Sequence, residues 1–320
     1  MTITEQLHEV LGSRCVEYEP MAKHTNFRIG GPAKWFTDVR TLEELQRVLS
    51  IAKEHQIKIF VFGGGSNLLF SDEGFDGIVI KMAMRTYEIQ GTQVRADSGV
   101  LSSALARATA MLGLKGFQWA ITLPGTIGGG VRGNAGCFGG EMKDHLVSVQ
   151  VLRENQIIEL TQNDLQFGYR ESAIKHSTDI VLSATFELEE GDVTELKMEL
   201  DDKLMKRKIS QPLGAGSAGC MFKNYEIQSD EELQRLMTKL DIPSEMQSRR
   251  QLSAGWLIDN LDLKGKKIGD AQVSEVHGNF VVNTGSATAD EVMQLVALIK
   301  TRARNEYGIL LQEEIMYVGF

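Results

Sequence analysis

The sequence predicts an α+β protein built as three domains. Three observations lead there: a helix–strand–glycine unit within the first 85 residues, a run of alternating strands from about residue 86, and renewed helical periodicity beyond a charged stretch at 187–208. A length of 320 residues allows two or three sizeable cores, because single cores stop growing before this size.

Residues 41–56 (TLEELQRVLSIAKEHQ) pair Thr41 with Glu44 as a capping box and carry an apolar stripe of Leu42, Leu45, Val48, Leu49 and Ala52, which predicts an amphipathic helix. Residues 57–62 (IKIFVF) read as a buried strand running into GGGSNLL at 63–69, and a second apolar run, GIVIKM, starts at Gly77. A glycine turn at the carboxyl end of such a strand is where open α/β sheets bind ligands.

The middle region alternates strand-like segments (VRADSG, LVSVQVL, DIVLSATFEL) with one helix at 102–112 and a glycine tract at 124–140. The charged stretch 187–208 is expected to be a helix leading into the third domain. There, residues 229–240 again combine a capping box with a stripe of Leu233, Leu236, Met237 and Leu240. A last helix at 289–306 is capped by Thr288 and stopped near Gly308, before a closing strand, EEIMYV.

Hydrophobic content of 42% and charged content of 24% are those of a soluble globular chain. The net charge of -9 and pI near 5.3 argue against a broad nucleic-acid or anionic-membrane surface. The N-terminus lacks an apolar signal region and no stretch approaches a membrane span, so a cytoplasmic protein is expected. Cys15, Cys137 and Cys220 lie far apart without metal-ligand spacing, so neither a disulfide framework nor a metal site is indicated.

The tract PGTIGGGVRGNAGCFGG at 124–140 holds eight glycines in seventeen residues. Glycine loses more backbone entropy on folding than other residues, and its return is bare N–H groups and close approach to something flat or anionic. An irregular surface loop is the plainer alternative. GGGSNLL is neither a Walker loop nor GxGxxG, yet three glycines followed by Ser66 and Asn67 suit a nest for pyrophosphate oxygens, a structural turn being the alternative. Two such devices fit a long dinucleotide better than a mononucleotide.

Eight segments in order carry a more specific signal: NFRIGGPA at 26–33, GGGSNLL, LPGTIGGGVRGNAG at 123–136, FGYRES at 167–172, GCMFKN at 219–224, SAGWLID at 253–259, HGNFVVN at 277–283 and GILLQEEI at 308–315. On these motifs the chain resembles the UDP-N-acetylenolpyruvoylglucosamine reductase family, also called UDP-N-acetylmuramate dehydrogenases, of bacterial peptidoglycan synthesis. The resemblance implies a vanillyl-alcohol-oxidase-like (PCMH-type) FAD-binding unit made of residues 1–85, with the terminal strand 313–320, and residues 86–203, plus an α+β domain at 204–312 for the UDP-sugar. The short span between Arg170 and Arg207 leaves little room for the tyrosine-bearing substrate loop of one family branch, so the chain looks like the shorter branch.

It further implies non-covalent FAD, held by Gly63, Gly64, Gly65, Ser66, Asn67 and Leu68 together with Pro124, Gly125, Thr126, Ile127, Gly128, Gly129 and Asn134, with NADPH as the electron donor. The implied substrate is UDP-N-acetylglucosamine enolpyruvate, with Tyr169, Lys223 and Asn224 on its side. Reducing an enolpyruvyl ether places hydride on the distal alkene carbon, pushes charge onto the carboxylate and then protonates the carbon beside it. Arg170, in FGYRES, matches the family arginine that stabilises that charge, and its planar fork suits a carboxylate. Glu314, in QEEIMYV, matches the second stabilising residue, useful if protonated or coupled to Arg170. Cys220 stands where the family usually has a serine proton donor, within GSxFKN. A thiol is a far stronger acid than an aliphatic hydroxyl, so the acid role is expected to survive, with oxidation as its liability. Tyr225 stands where the family often has proline.

Two other readings stay open on the sequence: a different FAD-dependent oxidase or dehydrogenase on the same cofactor fold, and a catalytically silent UDP-sugar-binding relative. No nucleic-acid partner and no membrane insertion are expected, and the chain is expected to be a monomer.

Overall fold

The computed structural model describes residues 1–212 and 214–320. They divide into two compact units: residues 1–19, 33–65 and 75–209 form the first, and residues 20–32, 66–74 and 210–320 the second.

The first unit contains two sheets. One orders its four strands Val16–Pro20, Pro32–Val39, Phe75–Met82 and Ile59–Phe62, the last three pairing in parallel. Parallel pairing needs a crossover, and the helix Leu42–Glu54 supplies it, capped as expected by the Thr41 hydroxyl accepting from the Glu44 amide. Its apolar face (Leu45, Val48, Ile51, Ala52) packs with Leu7 and Leu11 of the helix Ile3–Leu11 onto Trp35, Val39, Ile78 and Ile80. The second sheet is antiparallel in the order Gln156–Thr161, Leu146–Arg153, Ile180–Glu187, Gln93–Asp97, Tyr87–Gln90. Its inward residues Val94, Ala96, Val149, Val151, Ala184 and Phe186 meet the helix Ser102–Met111 in a separate core.

Two expectations need correcting here. Part of the glycine tract is a helix, Ile127–Arg132, rather than a loop, because its apolar Ile127 and Val131 are fully buried against the second sheet and tertiary burial outweighs the low helix propensity of Gly128, Gly129 and Gly130. The charged stretch at 187–208 also starts later. Glu189–Glu190 pairs as a short strand with Leu114–Lys115, and the helix is Val193–Ser210.

In the second unit, a three-stranded antiparallel sheet (Lys267–Ile268, Ala271–Val273, Val281–Asn283) is covered by the helix Ala289–Tyr307. That helix opens on a Thr288–Glu291 capping box and ends on Gly308 in the left-handed conformation, φ 70°. The Asp72 carboxylate accepts from the amides of Ala289 and Asp290, fastening the 66–74 segment to the helix N-terminus. The closing strand Met316–Val318 pairs in parallel with Leu68–Phe70. No helix among the described residues is long and apolar enough to cross a membrane.

Candidate active site

In the first unit the two glycine segments meet. A Cβ on Gly63 would lie 2.1 Å from the Thr126 Oγ1, and one on Gly64 would lie 3.3 Å from the Gly125 Cα. The strand Ile59–Phe62 delivers residues 63–65 to this contact, so backbone approaches backbone where any side chain would intervene.

The amides of Ile127 and Gly128 are not bare, contrary to the expectation for a glycine cradle. They donate to the carbonyls of Val100 and Ser98, both at 2.9 Å, and the Ser102 amide donates to the Gly125 carbonyl at 3.0 Å. What this wall leaves unsatisfied is on side chains: Ser98 Oγ, Ser102 Oγ, Thr126 Oγ1 and Trp119 Nε1 are buried without a hydrogen-bond partner. Three of these, on Ser98, Ser102 and Thr126, lie along the glycine wall, Trp119 lying beside Gly140, and such a group is unusual because buried polar atoms are nearly always paired. The sequence reading missed Ser98, Ser102 and Trp119. In VRADSG, Val94 and Ala96 mark the buried face of the strand Gln93–Asp97, but Ser98 lies in the turn just past it, so strand alternation gave no signal for its burial.

Gly128 and Gly129 differ. A Cβ on Gly128 would strike Ser98 Cβ at 2.7 Å, whereas around Gly129, which is exposed, the nearest atom would be Thr126 Oγ1 at 3.8 Å. Protein packing therefore requires glycine at 128 but leaves the approach over 129 open.

Arg170 sits in a two-residue turn closed by reciprocal hydrogen bonds between Gly168 and Glu171, at 3.1 and 3.2 Å, with its own φ at 56°. Its Nη2 donates to the Gly136 carbonyl at 2.8 Å, its guanidinium lies 5.5 Å from the centre of the Tyr169 ring, and Lys175 Nζ donates to its carbonyl. Asn134, expected beside the cofactor, is fully buried with its amide bonded inside the protein: Nδ2 donates to Glu141 Oε2 and to the Gly168 carbonyl, both at 2.9 Å, and Oδ1 accepts from the Lys143 amide.

Next to Gly136, Cys137 donates its thiol to the Trp119 carbonyl at 3.1 Å. Burial pushes its pKa up, opposed by the nearby cations Arg207, Arg170 and Lys203.

The second unit assembles residues from opposite ends of the chain. The Glu314 amide donates to the Met221 carbonyl at 2.9 Å, Phe222 bridges to Glu313, and the Lys223 amide donates to the Gln312 carbonyl. Asn67 Nδ2 donates to the Glu314 carbonyl at 3.0 Å, and the Asn67 carbonyl accepts from Met316. Cys220, half-buried, bridges to Phe280. This ladder is locked by Asn279, 3% exposed, whose side chain exchanges hydrogen bonds of 2.9 and 2.8 Å with the Phe222 backbone. Asn279 lies in the HGNFVVN motif but drew no attention in the sequence. Lys223 lines a small pocket with Tyr225, Leu310 and Leu311, while the Asn224 side chain accepts from the Ala254 amide.

A flat, polar group suits the first unit: glycine backbone without intervening Cβ, an open face over Gly129, and buried hydroxyls in need of partners. Fold and site thus define an FAD-binding α+β protein, and residues 34–159 match the family model described as an FAD binding domain. Residues 211–318 match the model of the UDP-N-acetylenolpyruvoylglucosamine reductase C-terminal domain. A UDP-N-acetylenolpyruvoylglucosamine reductase of Clostridioides difficile (strain 630) is 40% identical over 304 residues, covering 94% of this chain and 92% of its own. One from Caldanaerobacter subterraneus is 35% identical over 320 residues, covering 99% and 98%. The crystal structure of the reductase from Thermus caldophilus superposes with a TM-score of 0.75 at 32% identity, covering 94% of this chain and 97% of that one. The chain belongs to the UDP-N-acetylenolpyruvoylglucosamine reductase family.

Proposed function

We propose that the protein is a cytoplasmic, monomeric, NADPH-dependent flavoenzyme that reduces UDP-N-acetylglucosamine enolpyruvate to UDP-N-acetylmuramate. On this reading FAD is bound by residues 1–85 with 313–320 and by residues 86–203, the sugar nucleotide is bound by residues 204–312, and the chain is of the shorter family branch.

FAD would be held by residues 63–65 and 124–129, with the hydroxyls of Ser98, Ser102 and Thr126 as polar partners; Ser66, Asn67 and Leu68 are added on the resemblance alone. When bound, FAD supplies two-electron hydride chemistry between NADPH and the alkene. The chain's own residues do the rest. Arg170, already oriented by the Gly136 carbonyl, offers a fixed cation for the negative charge that grows on the substrate carboxylate, so little reorganisation is needed as charge develops. Cys220 Sγ holds the proton for the carbon beside the carboxylate, and Glu314 stabilises the same charge if protonated or coupled to Arg170. Tyr169, Lys223 and Asn224 are proposed on the substrate side.

The observation that carries this reading is the hydrogen bond from the Glu314 amide to the Met221 carbonyl, which fixes Glu314 one residue across the ladder from Cys220 although 94 positions separate 220 from 314. The test is anaerobic: reduce the purified yellow protein with NADPH, then add the UDP-enolpyruvyl sugar. Flavin absorbance should return as product forms. Return of the absorbance only with oxygen, or bleaching of the oxidised flavin by an alcohol or hydroxy acid in place of NADPH, would overturn the proposal.

A further inference from the structure

We infer that Asn134 is a positioning residue that sets the Arg170 guanidinium, a role that rests on the functional reading above. Two separate pieces of chain, among the described residues, bear on where that guanidinium lies. One is the turn 168–171, which fixes the Arg170 backbone. The other is the Gly136 carbonyl, which accepts from its Nη2 at 2.8 Å.

Asn134 joins both pieces. Its Nδ2 donates to the Gly168 carbonyl, at the base of the turn, and to Glu141 Oε2, while Glu141 is the strand partner of Gly136 in the Gly136–Cys137 and Gly140–Glu141 hairpin. Its Oδ1 accepts from the Lys143 amide at 3.2 Å, just beyond that hairpin. One side chain of three polar positions therefore links the turn to the hairpin, and all three positions are used. Lys143 Nζ completes the arrangement with an ion pair to the same Glu141 Oε2 at 3.0 Å.

Residue 134 adopts φ 41°, a left-handed conformation that non-glycine residues avoid but that asparagine tolerates better than most. It is fully buried. Backbone conformation alone is met by glycine, so the asparagine amide is what the position adds. A misplacement of about 1 Å at a charge-stabilising group costs roughly 10²-fold in rate, which makes such a brace kinetically visible.

The experiment uses the FAD-loaded protein and Asn134→Gly, which keeps the backbone conformation and removes the amide. The thermal midpoint should fall, since three buried hydrogen bonds are lost, but bound FAD per folded chain and the rate of flavin reduction by NADPH should stay close to wild type, while reoxidation by the UDP-enolpyruvyl sugar should slow by about 10²-fold. In an Arg170→Ala background the same substitution should add almost nothing, because its effect runs through Arg170. Wild-type reoxidation by Asn134→Gly, an undiminished effect in the Arg170→Ala background, or loss of FAD in place of slowed reoxidation would each overturn the proposal. If Asn134→Gly does not fold, Asn134→Asp, which sets a carboxylate against Glu141 and the Gly168 carbonyl, must show the same selective slowing. Failure of the functional reading itself would appear earlier and separately, as wild-type flavin that the sugar does not reoxidise.

Discussion

Gly63 and Thr126 sit so close that a Cβ at 63 would lie 2.1 Å from the threonine hydroxyl and 3.3 Å from its Cβ. Sixty-three positions apart in the chain, the two residues set the spacing of the glycine-lined wall. Gly63→Ala should lower stability by about 1–3 kcal/mol through overpacking. Adding Thr126→Ala should return part of that loss, since it removes the nearest atom. Denaturant unfolding of both single variants and the double variant reads the coupling, and strict additivity would refute the contact.

Gly128 and Gly129 separate protein packing from ligand approach. Gly128→Ala should destabilise the protein with or without FAD, because Ser98 blocks it. Gly129→Ala meets only Thr126 Oγ1, at an ordinary contact distance of 3.8 Å, and gains up to about 1 kcal/mol of helix propensity. It should leave the apoprotein as stable or more so, yet bind FAD more weakly. Thermal melts of apoprotein together with FAD titration decide this, and unchanged FAD affinity would remove Gly129 from the cofactor wall.

The unpaired hydroxyls of Ser98 and Ser102 should oppose folding and favour cofactor. Ser98→Ala and Ser102→Ala relieve a buried unsatisfied group, which is worth about 1–3 kcal/mol. Each should raise apoprotein stability while lowering FAD affinity. A variant that gained stability with FAD affinity intact would show that its hydroxyl does not face the cofactor.

Cys220 is expected to act through its proton. Cys220→Ser should still reoxidise reduced flavin with the sugar, whereas Cys220→Ala should accept electrons from NADPH and then stall, slowed by about 10²–10⁴-fold, the usual worth of a general acid. Stopped-flow absorbance on the two half-reactions measures both, and normal turnover by Cys220→Ala would exclude the assignment.

Acid sensitivity has a local source in the first unit. Arg14 donates to both Glu44 oxygens, and that hydrogen-bonded pair holds the Glu44 carboxyl below the ordinary carboxylate range. A carboxyl with a lowered folded pKa binds fewer protons than in the unfolded chain. Its contribution is therefore present above about pH 4.5 and lost as pH falls through the folded value. Glu44→Gln should be less stable than wild type at pH 7, and the gap should close below pH 4. Unfolding free energies from pH 7 to 3 test the sign.

Most single elements were legible because their signals are local. Thr41, Ser229 and Thr288 each accept from the amide three residues on, but the expected capping boxes at Thr41 and Ser229 are only half formed, since Glu44 and Glu232 accept from the amides of Arg40 and Gln228 instead, and Gly308 ends the last helix in the left-handed conformation. The helix Ile127–Arg132 was not legible, because three glycines oppose it and only the burial of Ile127 and Val131 beneath a distant sheet supports it.

Family membership and the glycine segments followed from the order of motifs along the chain, as did the residue types proposed to react, since covalent order and residue chemistry are present in the sequence itself. Tertiary structure alone decided what those residues touch. It turned the Ile127 and Gly128 amides toward protein carbonyls, left Ser98 and Ser102 as the unsatisfied donors, enclosed the Asn134 amide between Gly168 and Glu141, and set Glu314 beside Met221. Hydrogen bonds between residues tens to hundreds of positions apart depend on strand register and loop closure, and neither leaves a periodic trace in the chain that makes them.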